Sequence, residues 1–263
     1  MKSVTRLSTI IFLIFNFYFL TDAQEKVARP YDSLALKIYQ TGLRDGKAYE
    51  LLYELSTTIG HRLSGSENAA KAVAWGKKKM ESLGFDSVYL EPVMVPHWVR
   101  GDVEQAYVLG SSFGSNGKQH ENVELTVCAL GGSIATPTEG VTAEVIEVKT
   151  FEELQALDEK AKGKIVFFNR PMDKSKMTTF EAYGGAVNQR GSGAVAAASV
   201  GGVAALVRSM TTQLDDVPHT GSMHYVDSLP KVPTAAISTV DANYLSELLK
   251  KEKSVKVTLK LSC

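Results

Sequence analysis

Apolar residues in the amino-terminal part of the chain recur at the three- and four-residue spacing of amphipathic helices. This spacing predicts two helices within residues 31–59, and Gly60 is placed to end the second. A third helix is predicted over about 67–83, and Gly84 can supply the left-handed residue that closes it. The apolar segment 86–95 follows and predicts a β-strand.

From about Gly101 the pattern changes to short apolar or alternating runs separated by glycine-rich turns. These runs predict strands at 103–109, 123–130, 141–148, 163–169, 203–209 and 232–238. Helical spacing predicts helices at 150–163, within 183–202 and at 239–252. Clean alternation over 254–261 predicts a last antiparallel strand at the edge of a sheet. Together these elements predict an α/β (α+β) fold.

The first residues are typical of a secretory signal. Lys2 and Arg6 precede an apolar run at 10–20, and small residues stand at 21 and 23. The run is shorter than the roughly 20 residues that a comfortable membrane span needs. We therefore expect a signal peptide over 1–23 and an exported, soluble mature protein, with an uncleaved amino-terminal anchor as the alternative.

The charge balance excludes a general affinity for polyanions. Lys plus Arg and Asp plus Glu number 29 each, so no net field attracts nucleic acid or anionic lipid. The apolar share of 44% and the charged share of 22% are ordinary for a globular protein. We expect neither a nucleic-acid partner nor a membrane partner after signal cleavage.

The chain has two cysteines, and export would permit a disulfide between them. Cys128 lies in an apolar strand-like run where a buried thiol packs well, and Cys263 is the last residue. Two free thiols are the favoured interpretation, and a disulfide stays the alternative.

Two glycine motifs match known catalytic or nucleotide-binding patterns without their structural context. Gly110–Gly114 fits G-x-S-x-G, but turn residues follow it where a nucleophile elbow needs a helix. Gly191–Ala196 fits the dinucleotide pattern, but no apolar strand precedes it. A chance match and close helix packing, respectively, explain the two motifs better.

The five histidines form no recognisable metal motif, since H-E-x-x-H and C-x-x-C are both lacking. Asp215, Asp216, His219 and His224 lie close in sequence, but a proline interrupts the segment. A surface loop that contacts a ligand or a neighbouring domain is favoured there over a metal site.

The segment 60–66 gathers a histidine, an arginine and two serines, which raises the question of a catalytic loop. Ser66 directly precedes the third predicted helix and can cap its free N–H groups. A helix-start role is therefore favoured over a catalytic role for His61. From the residues alone, the chain is an exported α/β protein without a complete catalytic group.

Several strings nevertheless resemble one family when they are taken in order. They are GHRLSGSENAAKAVAWG, PHWVRG, GGSIATPTEGVTAEVIEV, AKGKIVFFN, PHTGSMHY and KVPTAAIS. Together they resemble the carboxypeptidase Q family of secreted zinc dipeptidases, which is related to the zinc aminopeptidases with two co-catalytic metals.

The resemblance implies a peptidase domain that is interrupted by a protease-associated domain. Residues 24–100 would begin the peptidase domain, 101–253 would form the insert, and 254–263 would return to the peptidase sheet. In such families the insert shapes the substrate entrance and sometimes helps a homodimer to form. The residues His219, Thr220 and Gly221 are the candidates for substrate contact.

The resemblance also implies that zinc is the cofactor and that dipeptides or short peptides are the substrates. The zinc ligands of this family follow the insert, and the chain stops before the first of them. We therefore expect no catalytic residue and no bound metal in this chain, and inactivity when it is alone. The helices at 31–83 would then lack a surface to cover. The alternative is a non-catalytic module that binds peptides or a partner.

Overall fold

The computed structural model describes residues 31–110 and 121–263, and the chain divides into two compact units. The first unit is Met1–Val95 and the second is Pro96–Cys263. The predicted signal peptide at 1–23 and the serines of the G-x-S-x-G match lie outside the described residues. Among the residues that are described, no helix is both long enough and apolar enough to cross a membrane.

The first unit is helical, as the apolar spacing predicts. Helix α1 covers 31–45, α2 is Ala48–Glu54 with a π-helical turn at Leu55–Ile59, and α3 is Glu67–Ser82. Gly60 and Gly84 have φ angles of 77° and 79°, so they end α2 and α3 in the left-handed conformation.

Ser66 has the predicted capping role. Its Oγ accepts a hydrogen bond from the Ala69 N–H at 3.2 Å, which satisfies one of the free donors at the start of α3. Arg62 donates to the carbonyls of Leu55, at 3.3 Å, and of Gly60. Both side chains therefore serve helix ends, and His61, which directly precedes Arg62, is an exposed residue of the connecting segment.

Helices α2 and α3 are joined by one carboxylate. Glu54 accepts a hydrogen bond from Trp75 Nε1 at 2.9 Å and lies 2.7 Å from Lys79 Nζ. The hydrogen bonds from Lys79 and then Trp75 lower the pKa of Glu54. The strand predicted at 86–95 is wrong, because residues 31–95 contain no β-strand with which it could pair.

The described part of the second unit combines one mixed sheet with four α-helices. The strands are β1 Glu104–Val108, β2 Val123–Leu125, β3 Val127–Ala129, β4 Val141–Val148, β5 Ile165–Phe168, β6 Ala204–Arg208, β7 Thr234–Ile237 and β8 Lys256–Leu261. The helices are α4 Phe151–Leu157, followed by a 3-10 turn at Asp158–Ala161, then α5 Thr179–Gly184, α6 Asn188–Ser199 and α7 Thr239–Lys251. The mixed α/β class predicted from the sequence is confirmed.

The strand order is β2-β1-β8-β4-β5-β6-β7-β3. Strands β4 to β7 are parallel to one another, and β8 pairs antiparallel with both β1 and β4. The alternation of β8 predicts a strand at a sheet edge, which is wrong, because the structure places β8 inside the sheet between β1 and β4. Alternation of apolar and polar residues indicates that one face of a strand is covered, but it does not indicate how many strands pair with it.

The strand predicted at 123–130 is divided at Thr126. Its first half, β2, pairs with β1, and its second half, β3, pairs with β7 at the other end of the strand order. Because only Thr126 separates β2 from β3, these two strands, which stand at opposite ends of the strand order, lie next to each other. The sheet therefore curves back on itself around an apolar interior.

The sheet has an apolar core on each face. One contains the inward residues of the strands together with Ala242 and Leu245 of α7. The other lies beneath α4, α5 and α6, where a Cβ on Gly193 would lie 3.2 Å from the ring of Phe168. Close helix packing is therefore the correct interpretation of Gly193, whereas Gly191 faces open space.

The two glycines of α6 provide a matched test of this packing. We expect Gly191→Ala to stabilise the second unit by about 0.5–1 kcal/mol, because alanine loses less backbone entropy in a helix. Gly193→Ala should be at least about 1 kcal/mol less stable than Gly191→Ala, because its methyl group presses on Phe168. Urea unfolding in a Trp75→Phe background, where Trp98 is the remaining tryptophan, measures both. Equal stability of the two variants would contradict the close contact.

Candidate substrate-entrance site

The loop 218–221 is anchored at the end of β3, inside the second unit. The hydroxyl of Thr220 donates a hydrogen bond to the Ala129 carbonyl at 2.7 Å, and Arg100 Nη1 donates to the same oxygen at 3.0 Å. Two strings that carry the family resemblance, PHWVRG and PHTG, therefore meet at one backbone carbonyl. We refer to the loop 218–221 as the entrance loop.

Arg100 is held in place from three sides. Its guanidinium lies 4.9 Å from the centroid of the Trp98 ring and forms an ion pair with Glu104. Glu104 Oε1 also accepts a hydrogen bond from the Ala129 N–H at 2.9 Å, and Trp98 Nε1 donates to the Ser133 carbonyl at 2.9 Å. The guanidinium is thus fixed before any ligand binds.

The backbone of His219 is fixed, whereas its side chain is partly open to solvent. The His219 N–H donates to Ser209 Oγ at 2.8 Å, and the buried Ser209 hydroxyl donates to the Ile237 carbonyl at 2.7 Å. The imidazole Nε2 lies 3.7 Å from Asp215 Oδ1, and 39% of the side chain is exposed. The ring can therefore make a hydrogen bond with a ligand.

Gly221 lies against the guanidinium of Arg190. A Cβ at Gly221 would come within 2.6 Å of Arg190 Cζ, so a side chain there requires the guanidinium to move. Arg190 itself stacks on Tyr183, at 5.3 Å from the ring centroid, and donates to the Tyr183 hydroxyl. The Gly221 carbonyl accepts a hydrogen bond from the Gly131 N–H at 2.8 Å, which closes the loop.

Hydrogen bonds fix the backbone of the entrance loop and leave the His219 imidazole partly open. Within 31–110 and 121–263, no three His, Cys, Asp or Glu side chains are grouped so that they could hold a metal ion. Asp215 pairs with His219, whereas the His224 N–H donates to the Gly191 carbonyl at 3.2 Å. The described residues therefore form no group that fits a zinc ion.

Both cysteines are free thiols. Cys128 Sγ lies 3.0 Å from Arg100 Nη1. Burial raises the pKa of the Cys128 thiol, and the nearby Glu104 carboxylate raises it further. Burial also raises the pKa of Cys263, which donates to the Ser133 carbonyl at 3.2 Å. Both thiols consequently stay protonated and weakly nucleophilic at neutral pH.

Comparison with known proteins places this fold in a peptidase family, although no family model matches the chain. Carboxypeptidase Q of Xenopus laevis is 43% identical over 220 residues, which cover 84% of this chain and 43% of the relative. Carboxypeptidase Q of Homo sapiens is 39% identical with the same coverage. A crystal structure of a Peptidase M28 precursor from Shewanella amazonensis matches with 37% identity and a TM-score of 0.75, over 88% of this chain and 50% of that chain.

The chain is a carboxypeptidase Q-like relative of the M28 peptidases. It spans less than half the length of these carboxypeptidase Q relatives. The match to the bacterial M28 peptidase covers 88% of the chain, which is more than the residues Pro96–Cys263 alone make up. The likeness therefore extends into the helices of the first unit.

The resemblance points to the loop 218–221, and the sequence gives no sign of the residues that hold this loop. PHWVRG carries part of the resemblance, but nothing in the sequence assigns a role to Arg100. No local spacing predicts the ion pair of Arg100 with Glu104, because neither residue lies in a helix. Arg190 lies on a helix some thirty residues before Gly221 in sequence, and no pattern in the chain connects them.

Gly221 and Arg190 can be tested together in a double-mutant cycle. We expect Gly221→Ala to displace the guanidinium from Tyr183 and to cost about 1 kcal/mol of unfolding free energy. In an Arg190→Ala background the same substitution should cost close to nothing, because the space has been vacated. Urea unfolding followed by Trp98 fluorescence, in a Trp75→Phe background, measures all four proteins. An equal cost in both backgrounds would show that the two residues do not compete for space.

The thiols can be tested by alkylation. At pH 8.5, iodoacetamide should label Cys128 and Cys263 at least about threefold more slowly in the folded chain than in urea, because the raised pKa lowers the thiolate fraction. Labelling is measured at each cysteine by peptide mass spectrometry. Labelling of the folded chain as fast as that of the unfolded chain would contradict the protonated state.

Proposed function

We propose that the chain forms the amino-terminal part of an exported, zinc-dependent peptidase of the carboxypeptidase Q type, and that it supplies the peptide entrance. The observation that carries this proposal is the identity of 37–43% to carboxypeptidase Q relatives over 84–90% of the chain. Peptides with free termini, dipeptides above all, are the proposed substrates of the complete enzyme.

The second unit corresponds, in this proposal, to the protease-associated insert. The boundary between the units falls at residues 95 and 96, near the limit of 101 expected from the sequence. Strand β8 pairs with β1 and β4, so the proposed insert extends beyond the expected limit of 253. The two apolar cores of the second unit support the proposal that it is a domain with its own fold.

The entrance loop is the proposed peptide contact. Thr220 and Gly221 fix the loop through hydrogen bonds to Ala129 and Gly131, which leaves the imidazole of His219 as its open polar group. A neutral imidazole both donates and accepts a hydrogen bond, so it matches the N–H and C=O groups of a peptide. Thr220 and Gly221 act as positioning residues.

Zinc belongs to this proposal as the cofactor of the complete enzyme. The residues that would hold it are proposed to lie in the part of the relatives that this chain does not match. The chain alone is accordingly proposed to be inactive as a peptidase. Export through a signal peptide at 1–23 and a homodimer formed through the second unit complete the proposal.

A non-catalytic peptide-binding module is the second candidate. It is favoured by the combination of a fixed entrance loop with described residues that form no metal group. The two candidates agree on peptide binding and differ in whether a complete form of the protein hydrolyses what it binds.

The purified chain, supplied with zinc, tests the assignment of the catalytic part. We expect less than stoichiometric zinc by elemental analysis and no hydrolysis of a dipeptide series, with Xenopus laevis carboxypeptidase Q as the active control. Hydrolysis in proportion to bound zinc would overturn the claim that this chain lacks the metal centre.

Peptide binding tests the entrance loop. We expect His219→Ala to weaken binding of short peptides by about three- to tenfold, the loss of one hydrogen bond. His224→Ala is the matched control, because this second exposed histidine lies outside the loop. Calorimetric titration measures both variants, and an equal effect of the two substitutions would remove the loop from the binding site.

A further inference from the structure

The first unit exposes apolar surface that a folded protein normally covers. No residue from 31 to 95 is buried, although the segment is rich in large apolar side chains. Val73 is 53% exposed, Met80 is 47% exposed, and Met94 is 98% exposed. Large contiguous apolar surfaces on folded proteins mark sites of interaction.

The exposed side chains of α3 are ordered into one stripe. Val73 and Met80 are seven residues apart, so they point in directions that differ by about 20° around the helix. Lys71 and Lys78 have the same spacing and lie on the opposite side of the helix. Helix α3 is thus amphipathic, and its apolar side faces no buried core within the described residues of the first unit.

Such a stripe gains its stability from a covering layer. Most helical stability in proteins comes from packing of the amphipathic face and not from helix propensity. The polar contacts of Glu54 with Trp75 and Lys79 join α2 to α3 without burying the apolar side chains. The face therefore fits a partner layer of helices or sheet with an apolar surface of its own.

The comparisons indicate which polypeptide provides that layer. The match to the Shewanella amazonensis peptidase extends into the first unit, yet it accounts for only 50% of that chain. The other half of the bacterial peptidase has no counterpart among the residues of this chain. That unmatched half is therefore the candidate for the layer that covers the apolar surface of the first unit.

We propose that the apolar surface of residues 31–95 is a docking surface for a polypeptide equivalent to the part of the peptidase relatives that this chain does not match. The inference rests on the proposed function, since it specifies the partner with which the peptidase is completed. Val73 and Met80 lie in the docked face, and Lys71 and Lys78 stay in solvent.

Co-expression tests the docking. The probe is the part of Xenopus laevis carboxypeptidase Q that lies outside the match, expressed as a separate, untagged polypeptide with the tagged 263-residue chain. We expect the two to co-purify, and we expect bound ANS fluorescence and protease cleavage within 31–95 to fall on complex formation.

Two double variants make the test specific. Val73→Asp with Met80→Asp should lower the co-purified probe at least about tenfold, because charges cannot be buried unpaired in an apolar interface. Lys71→Asp with Lys78→Asp should leave the amount of co-purified probe unchanged, although this double variant changes the net charge of the chain more than Val73→Asp with Met80→Asp does. All four substituted residues are exposed. The urea unfolding of the second unit, measured by Trp98 fluorescence, should therefore be the same for both double variants.

Several results would overturn the proposal. They are failure of the probe to co-purify, equal effects of the two double variants, or a free chain that binds no ANS. A homodimer of the free chain that Val73→Asp with Met80→Asp dissociates would assign the surface to a second copy. Hydrolysis by the complex is scored separately, so that a stable but inactive complex supports the docking and contradicts the proposed peptidase function.

Discussion

The second unit depends on how the chain crosses from one end of its sheet to the other at Thr126. The Thr126 N–H donates to Asp241 Oδ2 at 2.6 Å, and the Thr126 carbonyl accepts from the Ser238 N–H at 3.0 Å. Both partners belong to the first turn of α7, where Ser238 is also the N-cap. One helix start therefore holds the residue at which β2 ends and β3 begins.

The entrance loop depends on this crossing. Ala129 lies three residues after Thr126, and its carbonyl receives both the Arg100 guanidinium and the Thr220 hydroxyl. A shift of β3 by one residue would turn its side chains to the other face of the sheet. The loop would then lose its anchor, even though none of its own residues had changed. Register in the sheet thus controls the geometry of a surface loop.

The sequence predicts most of the elements and little of their arrangement. Helices α3, α4 and α7 follow from apolar spacing, and the start of α3 also follows from its cap Ser66, because these signals are local. The division of 123–130 at Thr126 and the interior place of β8 depend on pairing with residues far away in sequence, which no local pattern records. The same reason explains why Arg190, which fills the space beside Gly221, could not be predicted.

The position of β8 has a consequence for the order in which the second unit can fold. Strand β1 forms at residues 104–108, but its neighbour β8 is translated about 150 residues later and also completes the pairing of β4. Until residue 261 has left the ribosome, both strands have an open edge, and the long loop that joins them must then close at an entropic cost. At the usual pace of protein synthesis the nascent chain spends seconds in that unfinished state. During those seconds the open edges of β1 and β4 can pair with other extended segments.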